Sequence, residues 1–251
     1  MFYSPLEQFQ IYPLIFLKWG SFDISFTNSS FIIAGGLFSF LICLDMILSS
    51  KKQIYFIPKH WQIFIETIYL ALLSMVVDNI GIKGQKFFPF IFTLFIFIFI
   101  SNLIGLIPYS FTITSHLIVT FGLAIMIFVG VNIVCLKEHG INMLTLFMPS
   151  GTSLWLAFVL VPIEIISYIF KPLSLSVRLF ANMMAGHTLL KVIAGFSWNI
   201  MLSGGILFIG CYFPLILLVI LIGLELGVGI IQTYVFTLLT CIYLNDSVNL
   251  H

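Results

Sequence analysis

No charged side chain interrupts residues 87–107, "FFPFIFTLFIFIFISNLIGLI". That length is the constraint, because about 20 residues of helix cross the roughly 30 Å hydrocarbon core of a bilayer. A soluble domain cannot hide several such runs and still keep a wettable exterior. The rest of the chain agrees: 61% of its 251 residues are hydrophobic, 8% are charged, and mean hydropathy is +1.20. An ordinary soluble domain carries about 25% charged residues. The solvent for this chain is lipid, and the expected fold class is an all-α integral membrane protein.

Further spans follow from the same criterion. Residues 30–48 form a first spanning helix, ending in a loop with Lys51, Lys52 and Lys59. Basic loops stay on the cytoplasmic or matrix side, which puts the N-terminus outside and the C-terminus on the matrix side. Residues 61–79 are long enough to span, but Lys83 and Lys86 follow them. A crossing there would carry that basic loop outward, so this segment is read as an inner interfacial helix. Residues 87–136 make a helix pair. Residues 153–244 hold two apolar stretches, 153–197 and 205–244, each about 60–70 Å long as helix. They are read as a hairpin of two long, strongly tilted helices. The competing reading breaks them into upright spans at Pro162, Pro172 and Pro214. The whole of 1–251 is one membrane domain.

Other function classes fall away. A net charge of +1 offers no basic patch for nucleic acid. Cys43, Cys135, Cys211 and Cys241 lack metal or redox spacing. There is no Gly-rich phosphate loop, no HExxH and no nucleophile elbow, so neither cofactor nor metal is expected. "MFYSPLEQFQ" lacks the pattern of a signal peptide.

Ionisable groups inside membrane segments are costly and point to function. Here they gather in the last hairpin: Glu164, Lys171, Arg178, His187, Lys191 and Glu225, with Asn182 and Gln232 as neutral companions. At about 100° per residue, Glu164, Lys171, Asn182 and Ala185 fall within roughly 40° of Arg178, whereas His187 faces the opposite way. Glu225 and Gln232 share a face of the final helix. Lys171 and Lys191 fit snorkelling to the interface. Asn182 and Gln232 fit interhelical hydrogen bonding as well as function. Glu164 fits a partner for backbone freed by Pro162. Arg178 is the sole arginine. Placing it costs about 2.5–3.5 kcal/mol on insertion scales, so it needs an acidic partner or a task.

The stretch "PLSLSVRLFANMMAGHTLLKVIAGF" (172–196), with "PLEQF" (5–9), residues 87–117 and "GLELGVGIIQTYVFTLL" (223–239), resembles subunit a of the F-type ATP synthases. The likeness spans most of the chain in order. It implies a static proton-conducting subunit beside a rotating c-ring, not an enzyme on its own. The implied partners are the c-ring, peripheral-stalk and other membrane stator subunits, and lipid. The resemblance implies that Arg178 faces the ring carboxylate and bars direct proton leakage. A unit pair at 4 Å gains about 4 kcal/mol at an effective dielectric near 20. It further implies that His187 and Glu225 serve the outer half-channel, Glu164 and Asn182 the inner one, and that Gln232 neighbours the arginine. Histidine at 187 with glutamate at 225 resembles the mitochondrial and alphaproteobacterial branch. The implied location is the mitochondrial inner membrane, with the bacterial plasma membrane as alternative. A standalone transporter or channel binding an anionic substrate at Arg178 is the competing function.

Overall fold

The computed structural model describes residues 4–20, 22–23, 25–49, 60–107, 110–140, 143, 154–203 and 210–249. Among these the architecture is helical: α1 Asn28–Ser49, α2 His60–Ile80, α3 Phe88–Gly105, α4 Leu117–His139, α5 Leu154–Ser203 and α6 Tyr212–Val248. Five described segments are long and apolar enough to cross a membrane: 63–80, 84–105, 117–139, 158–202 and 212–248. The chain is an all-α membrane protein. α2 is among the five, so its interfacial placement rests on the neighbouring lysines and not on its length.

The two long apolar stretches are each one helix. α5 runs for 50 residues through Pro162 and Pro172. Each proline removes one backbone donor and crowds the preceding turn, but neither interrupts the helix. Pro214 lies in the first turn of α6, where a missing N–H is harmless. The lysine-rich loop 51–59 and the join at 204–209 lie outside the described residues.

One structure went unread in the sequence. Four short strands precede α1: β1 Pro13–Ile15, β2 Lys18–Trp19, β3 Phe22–Asp23 and β4 Phe26–Thr27. β1 pairs antiparallel with β4, and β2 with β3, forming a nested ribbon. Gly20 follows β2 with φ of 63°, a left-handed value that favours glycine. Strands this short leave almost no period-two pattern to detect.

The described chain divides into two compact units. The first holds 1–44, 97–119 and 179–233. In it Asn102 of α3, fully buried, donates to the Gly229 carbonyl and to Thr233 Oγ1 of α6, both at 3.2 Å. Gly229 and Thr233 begin a stripe of small side chains at four-residue spacing that continues through Thr237 and Cys241, all buried. Small residues let membrane helices approach closely, where lipid offers no hydrophobic drive for association.

The second unit holds 45–96, 120–178 and 234–251. Tyr69 of α2 stacks edge-on against Phe88 and Phe92 of α3, with ring centroids 4.8 and 6.0 Å away. Tyr168 of α5 donates to Asn132 Oδ1 of α4 at 2.6 Å. Such offset aromatic pairs and satisfied hydroxyls are the usual contents of a wet-edged apolar core.

Candidate functional site

α5 turns a buried row inward at Leu175, Leu179 and Met183, each no more than 2% exposed. Their spacing of four keeps them on one helical face. Arg178, three residues after Leu175, flanks that row and is exposed. So are Ser174, Ala181 and Ala185, which recur at three- or four-residue spacing with it. Among the described residues Arg178 makes no salt bridge. The guanidinium therefore sits on an outward stripe of small side chains, without an acid from its own described chain.

In the first unit, α5 and α6 bring two polar pairs together. Asn182 Nδ2 donates to Gln232 Oε1 at 3.0 Å. His187 Nε2 approaches Glu225 Oε1 to 3.4 Å, with side chains 16% and 5% exposed. That is ion-pair distance, but the angle is not that of a hydrogen bond, and neither carboxylate oxygen finds a donor among the described residues. A buried carboxylate left so is costly unless water reaches it. A cavity of about 230 Å³ adjoins it, lined in part by Asn182, Gly186, Leu189, Glu225 and Val228. That volume accommodates several waters.

Gly186 makes this approach possible. A Cβ there would stand 2.7 Å from Glu225 Oε1 and 3.0 Å from its Cδ. The sequence places Gly186 beside His187 but gives no hint that it cradles a carboxylate from another helix.

In the second unit, Lys171 Nζ lies 3.2 Å from Asp246 Oδ2. It also sits 5.3 Å from the Tyr168 ring centroid and 5.2 Å from that of Tyr243. Lys171 thus joins α5 to α6 at a defined, partly exposed cation site. Glu164 is half-buried on α5. Glu164 and Asn182 stand eighteen residues apart on one helix and do not meet. Asn102, Gly186, Tyr168, Tyr243 and Asp246 escaped the sequence reading. The one available signal was Asn102, an amide in the otherwise apolar "FISNLIG".

Helices of membrane-spanning length, with an amide pair and a carboxylate–imidazole pair facing each other inside the bundle, define a multi-pass membrane protein with a polar interior. Comparison with known proteins narrows this. The family model described as "ATP synthase A chain" matches residues 29–245. "ATP synthase subunit a" of Pylaiella littoralis is 55% identical over 251 residues, all of both chains. The protein of that name from Chondrus crispus is 48% identical, covering 99% of this chain and 97% of its own. That of Marchantia polymorpha is 46% identical over 99% of each. The chain belongs to the ATP synthase A chain family.

Proposed function

We propose that this chain conducts protons between the two sides of a membrane and a ring of carboxylate-bearing subunits, as the stator subunit a of a rotary ATP synthase. The catalytic work of ATP synthesis belongs to the assembly and not to this subunit. Family membership removes the reason to prefer a standalone transporter of anions.

The observation that carries the reading is Arg178. It is exposed on α5, unpaired with any described acid, and flanked by small side chains. An arginine held in a membrane helix needs a counter-charge. A carboxylate of another subunit, passing across this stripe, supplies that counter-charge. The arginine favours the ionised carboxylate at its own position and repels protons that would cross from one half-channel to the other.

His187 and Glu225 line the outer half-channel, with the adjoining cavity supplying water to relay protons. Glu164 lines the inner half-channel. Asn182, which the resemblance assigns there too, lies on the His187 side of Arg178 along α5 and borders the cavity beside Glu225, with Gln232 holding it one turn from the arginine. The 50 residues of α5 measure about 75 Å. Inside a core of about 30 Å such a helix leans by about 66° unless it bends or projects, against about 20° for ordinary spans. The lean lets one face follow several helices of a curved ring, and lets each half-channel open to one side. The supported location is the mitochondrial inner membrane, with the N-terminus outside and the C-terminus on the matrix side. The c-ring, peripheral-stalk and other stator subunits are the partners.

The test is Arg178→Ala and Arg178→Lys in the assembled complex. Both variants should assemble and both should lose proton-driven ATP synthesis, the lysine because an ammonium lacks the planar fork and shifts its pKa on burial. Synthesis near the parental rate in reconstituted vesicles from either variant would overturn the assignment.

A further inference from the structure

The ribbon before α1 has the wrong surface for a structure in water. Ile11, Tyr12, Leu14, Ile15, Phe16 and Leu17 are 54–73% exposed, with Phe16 the most exposed. Contiguous apolar surface of this kind marks an interaction site. The ribbon carries two charges, Lys18 and Asp23, paired at 3.9 Å across β2 and β3 and more than two-thirds exposed.

What covers this surface follows from how it is fastened. β4 ends at Thr27 and α1 begins at Asn28, with no linker. The Asn28 amide N–H donates to the Tyr12 carbonyl at 3.1 Å. Its side chain accepts from the Tyr12 N–H and donates to the Gln10 carbonyl, both at 3.2 Å. Three hydrogen bonds thus pin the ribbon to the first turn of α1. Phe26 of the ribbon meets Phe31 of α1 edge-on, centroids 6.4 Å apart. The exposed apolar surface then continues along α1 through Phe31, Phe38 and Leu41. The ribbon's exposed apolar residues thus adjoin the exposed face of a helix read as a span.

We infer that the ribbon 11–27 is a lipid-interface anchor, lying at the headgroup level of the bilayer where α1 enters it. Depth is limited by its backbone. A two-stranded ribbon leaves edge N–H and C=O groups unpaired, and these are tolerated among headgroups and water but not in hydrocarbon. Aliphatic and aromatic side chains reach down from there toward the acyl chains, as tyrosine does in membrane belts. The Lys18–Asp23 pair at the ribbon tip stays in the hydrated zone. A shelf of this kind fixes the depth and rotation of α1 without burying a charge. The inference rests on reading α1 as a membrane span and is independent of the proton path.

The test uses the intact complex in vesicles of phosphatidylcholine carrying a photoactivatable diazirine. One lipid holds the diazirine near the acyl carbonyl, the other near the terminal methyl. After illumination and digestion, peptides covering 11–17 should carry adducts from the shallow probe several-fold more often than from the deep one. Peptides from 31–42 of α1 should react with the deep probe. An unlabelled 11–17 beside a labelled 31–42 overturns the anchor, because water or another protein then covers the ribbon. Absence of adducts from both segments removes the span itself and the anchor with it, but leaves the role of Arg178 to its own test.

Discussion

Gly186→Ala perturbs the carboxylate of Glu225 without replacing any ionisable residue. The new Cβ would stand 2.7 Å from Oε1, and ordinary contact begins at 3.4 Å. Glu225 must therefore retreat by about 0.7 Å or rotate, and its Cδ at 3.0 Å must move with it. The cavity beside it gives the room, so the helices need not part. Crowding a packed site costs about 1–3 kcal/mol. Replacing a mid-helix glycine by alanine returns about 0.5–1 kcal/mol. The net change in stability is about 0–2.5 kcal/mol, and the complex should assemble. Function should suffer more, because the carboxylate leaves its 3.4 Å approach to His187. A misplacement near 1 Å in a reacting constellation costs on the order of 10²-fold, so a loss of at least tenfold in proton flux is expected. The assay is ATP-driven acidification of vesicles containing the assembled complex, read by quenching of a pH-sensitive dye. Adding Glu225→Asp, one methylene shorter, should recover part of the flux by relieving the clash. Parental flux from Gly186→Ala alone would show that the position of this carboxylate does not govern conduction.

Asn102→Ala removes two interhelical hydrogen bonds and leaves a small void between α3 and α6. Interhelical hydrogen bonds in membranes average about 0.6 kcal/mol, so a loss of about 1–2 kcal/mol is expected. It should appear as earlier thermal dissociation of the complex in detergent, and unchanged thermal behaviour would show that the contact is not stabilising. Lys171→Asp or Asp246→Lys alone should weaken the α5–α6 contact. The exchanged double variant should restore it, since the pair and not either charge is required. The pair is about a third exposed, which holds its contribution to about 1 kcal/mol or less. Detergent stability of the singles against the double decides this, and a double no better than the singles would refute it.

What the sequence determined is what a single helix can carry by itself. Apolar runs of bilayer length set the class and most of the helices, because lipid forces each span to satisfy its own backbone. Helical periodicity placed Arg178 opposite His187, and grouped Glu225 with Gln232. The scarcity of charge singled out Arg178 before any partner was considered. Register between helices was another matter. That Glu225 meets His187 over Gly186, that Gln232 meets Asn182, and that Asp246 meets Lys171 depend on how far α6 slides and rotates along α5. No local periodicity encodes that slide. Likewise the ribbon before α1 needed strands of two or three residues to pair, β1 with β4 across residues more than ten apart. At that length propensity is silent, and the hydrogen bonds to Asn28 exist only in the folded chain.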